Sequence, residues 1–340
     1  MTAGFYSLGG SSIVIENLAD QLSKQSIDVT IGALQFKRIP PDGDYHVMKL
    51  PVYNLLKLKR IVEGFDIIHN HHPITNYLAL VSRKPFIYHY HGAPDFGRGI
   101  AFRFSMLLSI KIMKRSFGAI LTVSKSGVAE LASSFSIHKL YVVYNGVNTS
   151  LFAHKPERKF RKGTPQFLFV GNLYAHKNVS ELLFALKKLI KLYPKAYLVI
   201  VGEGDGSDNL RNLINELNLQ NHVSIVGHVP HHELPYYYSS SDVYITASRC
   251  EQFPLPLIES WACGTPVIAS NIPAHLALLK ESDAGLAYEA GNVSSLVSTM
   301  AYVYENVDKY SDKGLAFAKN NDWSLVAGRV KKIYKAVIEN

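Results

Sequence analysis

Glu251 and Glu259 bracket Phe253-Pro254-Leu255 at the head of the stretch EQFPLPLIESWACGTPVIAS, Glu251–Ser270. Two carboxylates can accept hydrogen bonds from several hydroxyls, which is how a polar site reads a sugar and a ribose. Glutamates at this spacing also arise by chance on surface helices, so the setting has to decide. Val243-Tyr244-Ile245-Thr246, just upstream, has the composition of a strand. Pro256 suits a first helical turn, Gly264 suits the residue after the helix, and Pro266 blocks continuation. Glu251 is therefore expected just past the carboxyl end of a strand, where open α/β sheets bind ligands, and Glu259 in the first turn of the following helix.

Other residues with usable chemistry also fall at strand ends. Val170-Gly171-Asn172-Leu173 closes one strand and Lys177 follows in the loop; a lysine there can meet a diphosphate, or be an ordinary solvated lysine. Val201-Gly202-Glu203-Gly204-Asp205-Gly206 either lines a nucleotide pocket or turns the chain, and Gly227-His228-Val229 can offer backbone groups to a base. Gly9-Gly10 precedes the first helix, where glycine lets backbone approach a phosphate and the helix N-terminus attracts it. The chain has no G-x-G-x-x-G fingerprint, which counts against a dinucleotide-binding dehydrogenase.

The first half also carries His69, His71, His72, His89 and His91. Strand alternation puts His69 and His71 on one face, and His89 and His91 likewise. Most of the five are expected to be satisfied core or rim histidines. A zinc site is conceivable, since histidine is a common ligand, but no acidic or cysteine partner has suitable spacing, and no metal is expected. His91, followed by Gly92 at a strand end, suits a polar contact to a substrate.

The elements that must position these residues alternate between strands and helices. In the first half, strands are expected at 27–34, 45–52, 65–69, 85–89, 119–124 and 141–144, with helices at 13–24, 55–62 and 100–116. Gly4–Ser12 reads as a turn-rich opening, so the first strand is expected to be short or missing. HKPERKFRKGTP, 154–165, is charged and closed by Gly and Pro, and reads as a linker. A second series follows, with strands at 167–170, 196–201 and 223–226, helices at 180–192 and 208–217, and helices from 293 to the end. Alternation of this kind means parallel sheets with crossover connections. The expected domains are 1–153, 166–320, and a helix over 321–340 that packs back on the first domain.

Composition sets outer limits. At 340 residues, 47% apolar and 19% charged, the chain can bury two cores. Only Cys250 and Cys263 are present, which argues against a disulfide scaffold and for a reduced, cytoplasmic setting. No apolar run long enough to span a bilayer and no signal-peptide pattern is seen. The net charge of +9 is concentrated in residues 1–150, which carry 16 Lys/Arg against 9 Asp/Glu. That asymmetry suits an anionic partner such as a membrane face, or is solubility charge. Arg103–Arg115, with Arg103, Lys111, Lys114 and Arg115 among apolar residues, is either an interfacial helix or a buried one with basic ends. Nucleic acid is not expected, because the basic residues lack interleaved aromatic platforms.

Taken together, Gly9-Gly10, His91-Gly92, Val123-Ser124-Lys125-Ser126, Asn145-Gly146-Val147-Asn148 with Phe152, Gly171 with Lys177, Val201-Gly202-Glu203-Gly204 and the Glu251/Glu259 motif resemble the retaining glycosyltransferases of family four (glycosyl transferases group 1). The resemblance covers nearly the whole chain. It implies a GT-B architecture, α/β, with two Rossmann-like domains facing each other across a cleft. It implies transfer of a hexose, without metal or other cofactor, from a nucleoside diphosphate sugar to a glycan, lipid-linked or polyol hydroxyl, with retention.

Residue by residue, the resemblance implies that His91 and Glu251 act at the reacting sugar and that Phe253, Pro254 and Leu255 bind its hydroxyls through their backbone. Glu259 would hold the ribose, and Lys177 and Gly10 would meet the diphosphate. Gly9, Gly171, Asn172, Gly204 and His228 would line the rest of the donor site. The family usually has an arginine where Asn172 stands. An inactive or weakly active sugar-nucleotide-binding protein, or a GT-B sugar-nucleotide epimerase, is the alternative.

Overall fold

The computed structural model describes residues 2–6, 10–37, 40–51, 54–91, 117–125, 127–128, 131 and 139–339, with the side chains of 2–6 and 74 left aside. Gly9, Gly92, Ser126 and the helix expected over 100–116, with its four cations, lie outside the described residues. The chain divides into two compact units, 1–146 with 323–340, and 147–322.

The first unit holds a parallel sheet of seven strands: β1 Thr2–Tyr6, β2 Thr30–Phe36, β3 His46–Lys49, β4 Ile68–Asn70, β5 Phe86–Tyr90, β6 Ala119–Thr122 and β7 Leu140–Val142, in the order 3-2-1-4-5-6-7. The expectation of a short or missing first strand is corrected. Thr2–Tyr6 is a five-residue strand, parallel to β2 on one side and β4 on the other. The sequence pattern hid it because few residues precede the glycine turn. The helix Gly10–Ser23 and the helix Trp323–Ile338 pack together over one face, through Val14, Ile15, Leu18 and Leu22 against Trp323, Val326, Val330 and Tyr334.

The second unit repeats the arrangement with β8 Gln166–Val170, β9 Tyr197–Val201, β10 Val223–Gly227, β11 Val243–Thr246, β12 Val267–Ser270 and β13 Gly285–Tyr288, in the order 10-9-8-11-12-13, all parallel. Period-two alternation sends Phe167, Phe169, Leu198, Ile200, Val243 and Ile245 into the core on one face. Leu168, Val199, Val201 and Tyr244 enter the core on the other. Each such buried side chain contributes about 1.5–3 kcal/mol of transfer free energy.

The expected linker 154–165 lies inside the second unit. Two of its arginines are anchored on Asp242. Arg161 Nη1 and Nη2 donate to Asp242 Oδ1 and Oδ2, both at 2.9 Å, Arg158 Nη1 donates to Oδ1 at 3.2 Å, and the Gln166 N–H donates to Oδ2 at 2.8 Å. The domain boundary accordingly falls at 146/147 rather than 153/154. No described helix is long and apolar enough to cross a membrane.

In both sheets the strand order reverses beside the first strand, between β1 and β4 and between β8 and β11. Loops at the carboxyl ends flanking such a switch point form the ligand crevice of doubly wound folds. In the second unit those loops carry Gly171–Lys177 and Ala247–Glu251.

Candidate active site

The crevice beside β8 depends on glycines that no other residue replaces. Gly202 (φ +137°) lies so near Gly171 that a Cβ there would stand 1.9 Å from the Gly171 carbonyl oxygen. Gly171 N–H donates to Val201 O at 3.0 Å and Gly202 N–H to Gly227 O at 2.8 Å, so three strand ends converge. Gly204 packs equally tightly: a Cβ would lie 2.8 Å from the Leu173 backbone. Its glycine is thus explained by packing of the loop alone. Asn172 and His228 are exposed, and the His228 N–H donates to Glu203 Oε1 at 3.0 Å.

Lys177 ends a 3₁₀ turn, Ala175–Lys177, and Asn178 (φ +50°) then starts the helix Val179–Leu189. The Arg249 N–H donates to the His176 carbonyl at 2.8 Å, tying this turn to the loop after β11. That tie brings Lys177 Nζ onto Glu251 Oε1, an ion pair between residues 74 apart in sequence. The side chains of Lys177 and Glu251 keep 19% and 17% of their exposure, so both remain reachable by a ligand. Burial, then the Lys177 charge, lowers the His176 pKa, leaving the ring neutral beside the pair.

The helix expected after Pro254 spans Leu255–Ala262, with Pro256 in its opening positions and Gly264 (φ +77°) just beyond its cap. Glu259 sits in its second turn rather than its first, because the helix begins at Leu255. Its carboxylate is buried and accepts from Tyr238 Oη at 2.9 Å and from His231 Nε2 at 3.3 Å. Burial, then the Glu259 charge, raises the Tyr238 pKa, so this phenol stays a donor. An ionised carboxylate has about four acceptor sites, and two bonds leave capacity for two more donors. Pro254 is buried, while Phe253 and Leu255 are half-buried at the helix N-terminus. His275 braces the loop from behind: its Nδ1–H donates to the Ser270 carbonyl at 3.0 Å, and Ser270 Oγ donates to the Ser248 carbonyl.

In the first unit Gly10 opens the first helix and is exposed. His91 follows β5, half-buried, with Nε2 2.9 Å from His71 Nδ1. Burial, then His72, pushes its pKa down to about 4. Gly171, Asn172, Lys177, Gly204, Glu251, Phe253, Pro254, Leu255 and Glu259 thus belong to one sheet's loops, with His228 at its far side, while Gly10 and His91 belong to the other unit. Sequence reasoning missed Tyr238 and His231, the partners of Glu259, and Arg249, which fastens the two loops. None of the three carries a spacing signal.

Two parallel sheets in Rossmann order, with a glycine-lined crevice, a lysine and two carboxylates, define a GT-B glycosyltransferase. The model of Glycosyl transferases group 1 matches residues 152–321 and that of Glycosyltransferase Family 4 matches residues 8–151. The chain belongs to this family. An uncharacterised glycosyltransferase of Methanocaldococcus jannaschii is 24% identical over 98% of this chain and 95% of its own. A phosphatidyl-myo-inositol mannosyltransferase of Mycobacterium leprae is 26% identical over 82% of this chain and 75% of its own. Among solved structures, Anabaena HepE in complex with UDP superposes with a TM-score of 0.83 at 16% identity, covering 99% of this chain and 100% of that one.

Proposed function

We propose that this glycosyltransferase moves a hexose from a nucleoside diphosphate sugar to a hydroxyl of a glycan, lipid-linked or polyol acceptor, with retention of configuration. The observation that carries the reading is the pairing of Lys177 with Glu251 on loops at one switch point, with a buried Glu259 on the helix that follows Glu251. Glu259 holds the ribose hydroxyls through its two spare acceptor sites. The Leu255 end of the helix, a positive dipole end, faces the sugar hydroxyls through the backbone of Phe253, Pro254 and Leu255.

Lys177 serves the diphosphate. In the free enzyme its charge is shared with Glu251. A bound diphosphate competes for it, and the competition releases Glu251 toward the sugar. As the glycosidic bond breaks, negative charge builds on the departing phosphate oxygen, and Lys177 stabilises it without a metal at the reacting centre. Arg249, held in the adjoining loop with Nη2 3.4 Å from Asn178 Oδ1, supplies the second cation that Asn172 does not. His91 and Gly10 are read as donor contacts from the resemblance alone.

The relatives support donor and acceptor classes only. One is named as a mannosyltransferase acting on phosphatidyl-myo-inositol, and the fold neighbour was solved with UDP. Glu259→Ala should weaken donor binding at least about 100-fold, since it removes the ribose contacts and strands the Tyr238 hydroxyl. Isothermal calorimetry with UDP- and GDP-sugars measures this, and unchanged affinity overturns the assignment. Proton NMR of the product gives the anomeric configuration. A rate that requires added Mg²⁺ or Mn²⁺ would refute metal independence.

A further inference from the structure

Four histidines of the first unit converge where β4 and β5 end. The register aligns His69 with Ile87, so alternation carries His69, His71, His89 and His91 onto one face. Ring centroids lie 4.3 Å apart for His69 and His71, 5.0 Å for His71 and His89, and 5.2 Å for His69 and His89. The first three are buried to within 4% exposure, and one ring nitrogen of each lies within 4.8 Å of those of the other two.

The hydrogen bonds in this cluster are incomplete in a patterned way. His69 Nδ1 is 2.6 Å from the Tyr334 hydroxyl, and His71 Nδ1 is 2.9 Å from His91 Nε2. Among the described residues, His69 Nε2, His71 Nε2 and both ring nitrogens of His89 have no hydrogen-bond partner. Each buried nitrogen left unmatched costs about 1–3 kcal/mol. Satisfied core histidines do not leave an unmatched nitrogen on each of three adjoining rings.

We propose that His69, His71 and His89 hold a zinc-class divalent transition metal ion through three imidazole nitrogens, with water in the fourth position. Three imidazoles without a carboxylate suit zinc, copper or nickel and not magnesium or calcium. Burial first, then the neighbouring positive charges, lowers the pKa of His69, His71 and His89, so their lone pairs are free near neutrality. The outer contacts suit those of metal-bound histidines: with Nδ1–H of His69 toward Tyr334 and Nδ1–H of His71 toward His91, the unmatched Nε2 of each ring is left for the metal. Tetrahedral zinc, about 2.0–2.1 Å from each nitrogen, sets ligands roughly 3.4 Å apart, and small ring rotations close the observed spread. A pocket lined by Leu22, Gly32, Leu50 and Val62 reaches His69 and Tyr334 and gives an entry path. The ion pins the ends of β4 and β5 and, through His71, holds the His91 ring.

The test uses full-length, tag-free protein stripped with a chelator and titrated with Co²⁺, then Zn²⁺. About one equivalent of Co²⁺ should bind with the intense visible bands of a four-coordinate site and be displaced by Zn²⁺. Zinc-edge X-ray absorption should show imidazole ligands. Tyr334→Phe should weaken the metal about 10–100-fold while leaving circular dichroism unchanged, and His89→Phe should abolish the bands. A wild type that shows no saturable four-coordinate spectrum overturns the proposal, as does wild-type affinity in folded His89→Phe. Should His89→Phe fail to fold, the wild-type spectrum decides alone.

Discussion

The two units carry the same strand order and treat their ionisable groups in opposite ways. The second unit pairs them: Lys177 with Glu251, Glu259 with Tyr238 and His231, and Asp242 with Arg158 and Arg161. The first unit buries a group of histidines whose pKa values are driven down instead of being matched by carboxylates. Burying a charge is costly unless it is paired, and a titratable group without a partner neutralises. One unit therefore presents ready charge, which suits a polyanionic, hydroxyl-rich ligand. The other presents neutral lone pairs. A shared topology decides where a site lies and not what it does.

Glycine substitutions should separate the units most sharply. A Cβ at Gly202 meets the Gly171 carbonyl at 1.9 Å, and its φ of +137° disfavours any side chain. Backbone hydrogen-bonded at the ends of β8, β9 and β10 has little room to step aside, so Gly202→Ala should cost the second unit about 3–5 kcal/mol and disturb the crevice. At Gly118 of the first unit the nearest atom is Cγ1 of Val337, 2.4 Å away, on the terminal helix. That side chain can rotate or the helix can shift. Gly118→Ala should cost only about 1–2 kcal/mol. Urea unfolding followed by circular dichroism measures both; equal losses would mean the strand ends are more yielding than the glycine contacts imply.

Next in size is Lys177→Ala. Removing one donor aimed at developing charge typically costs about 10²–10³ in kcat. Glu251 would also lose its partner, so Lys177→Ala with Glu251→Gln should fall by less than the product of the single effects. Steady-state rates of sugar transfer for the four enzymes test this. Additive losses would sever the pair that defines the second unit's electrostatics.

Much of this arrangement was legible in the sequence, for reasons that differ by element. β8, β9 and β11 are short apolar runs buried on both faces, the usual mark of parallel strands. β13 escaped because Gly285-Leu286-Ala287-Tyr288 is four residues long and begins with a glycine that packs on the Val267 backbone. The segment 154–165 imitated a linker because Asp242, which anchors Arg158 and Arg161, is about 80 positions away. The Lys177–Glu251 pair follows from β8 and β11 lying side by side, a fact of topology and not of spacing. Tyr238 had no signal at all. It reads as one of three successive tyrosines, and only the packing of its helix selects it for Glu259.

The smallest effect bears on whether the second unit is as fully charge-matched as the comparison holds. His275 is the exception, a fully buried histidine whose pKa is lowered to about 4, chiefly by burial, with the Glu251 charge opposing. A depressed base is stabilising above its unfolded pKa of about 6.5 and loses that contribution as pH falls, because the unfolded chain takes the proton first. The loss begins near pH 6.5, reaches about 2 kcal/mol by pH 5 and ends near pH 4. His275→Asn keeps a donor for the Ser270 carbonyl and cannot titrate, so its stability should fall less steeply between pH 7 and 5. The difference between the two proteins' urea midpoints across that range reads the effect directly. Parallel curves would mean that His275 gains no proton on unfolding, and that the loop carrying Glu251 does not depend on a neutral ring behind it.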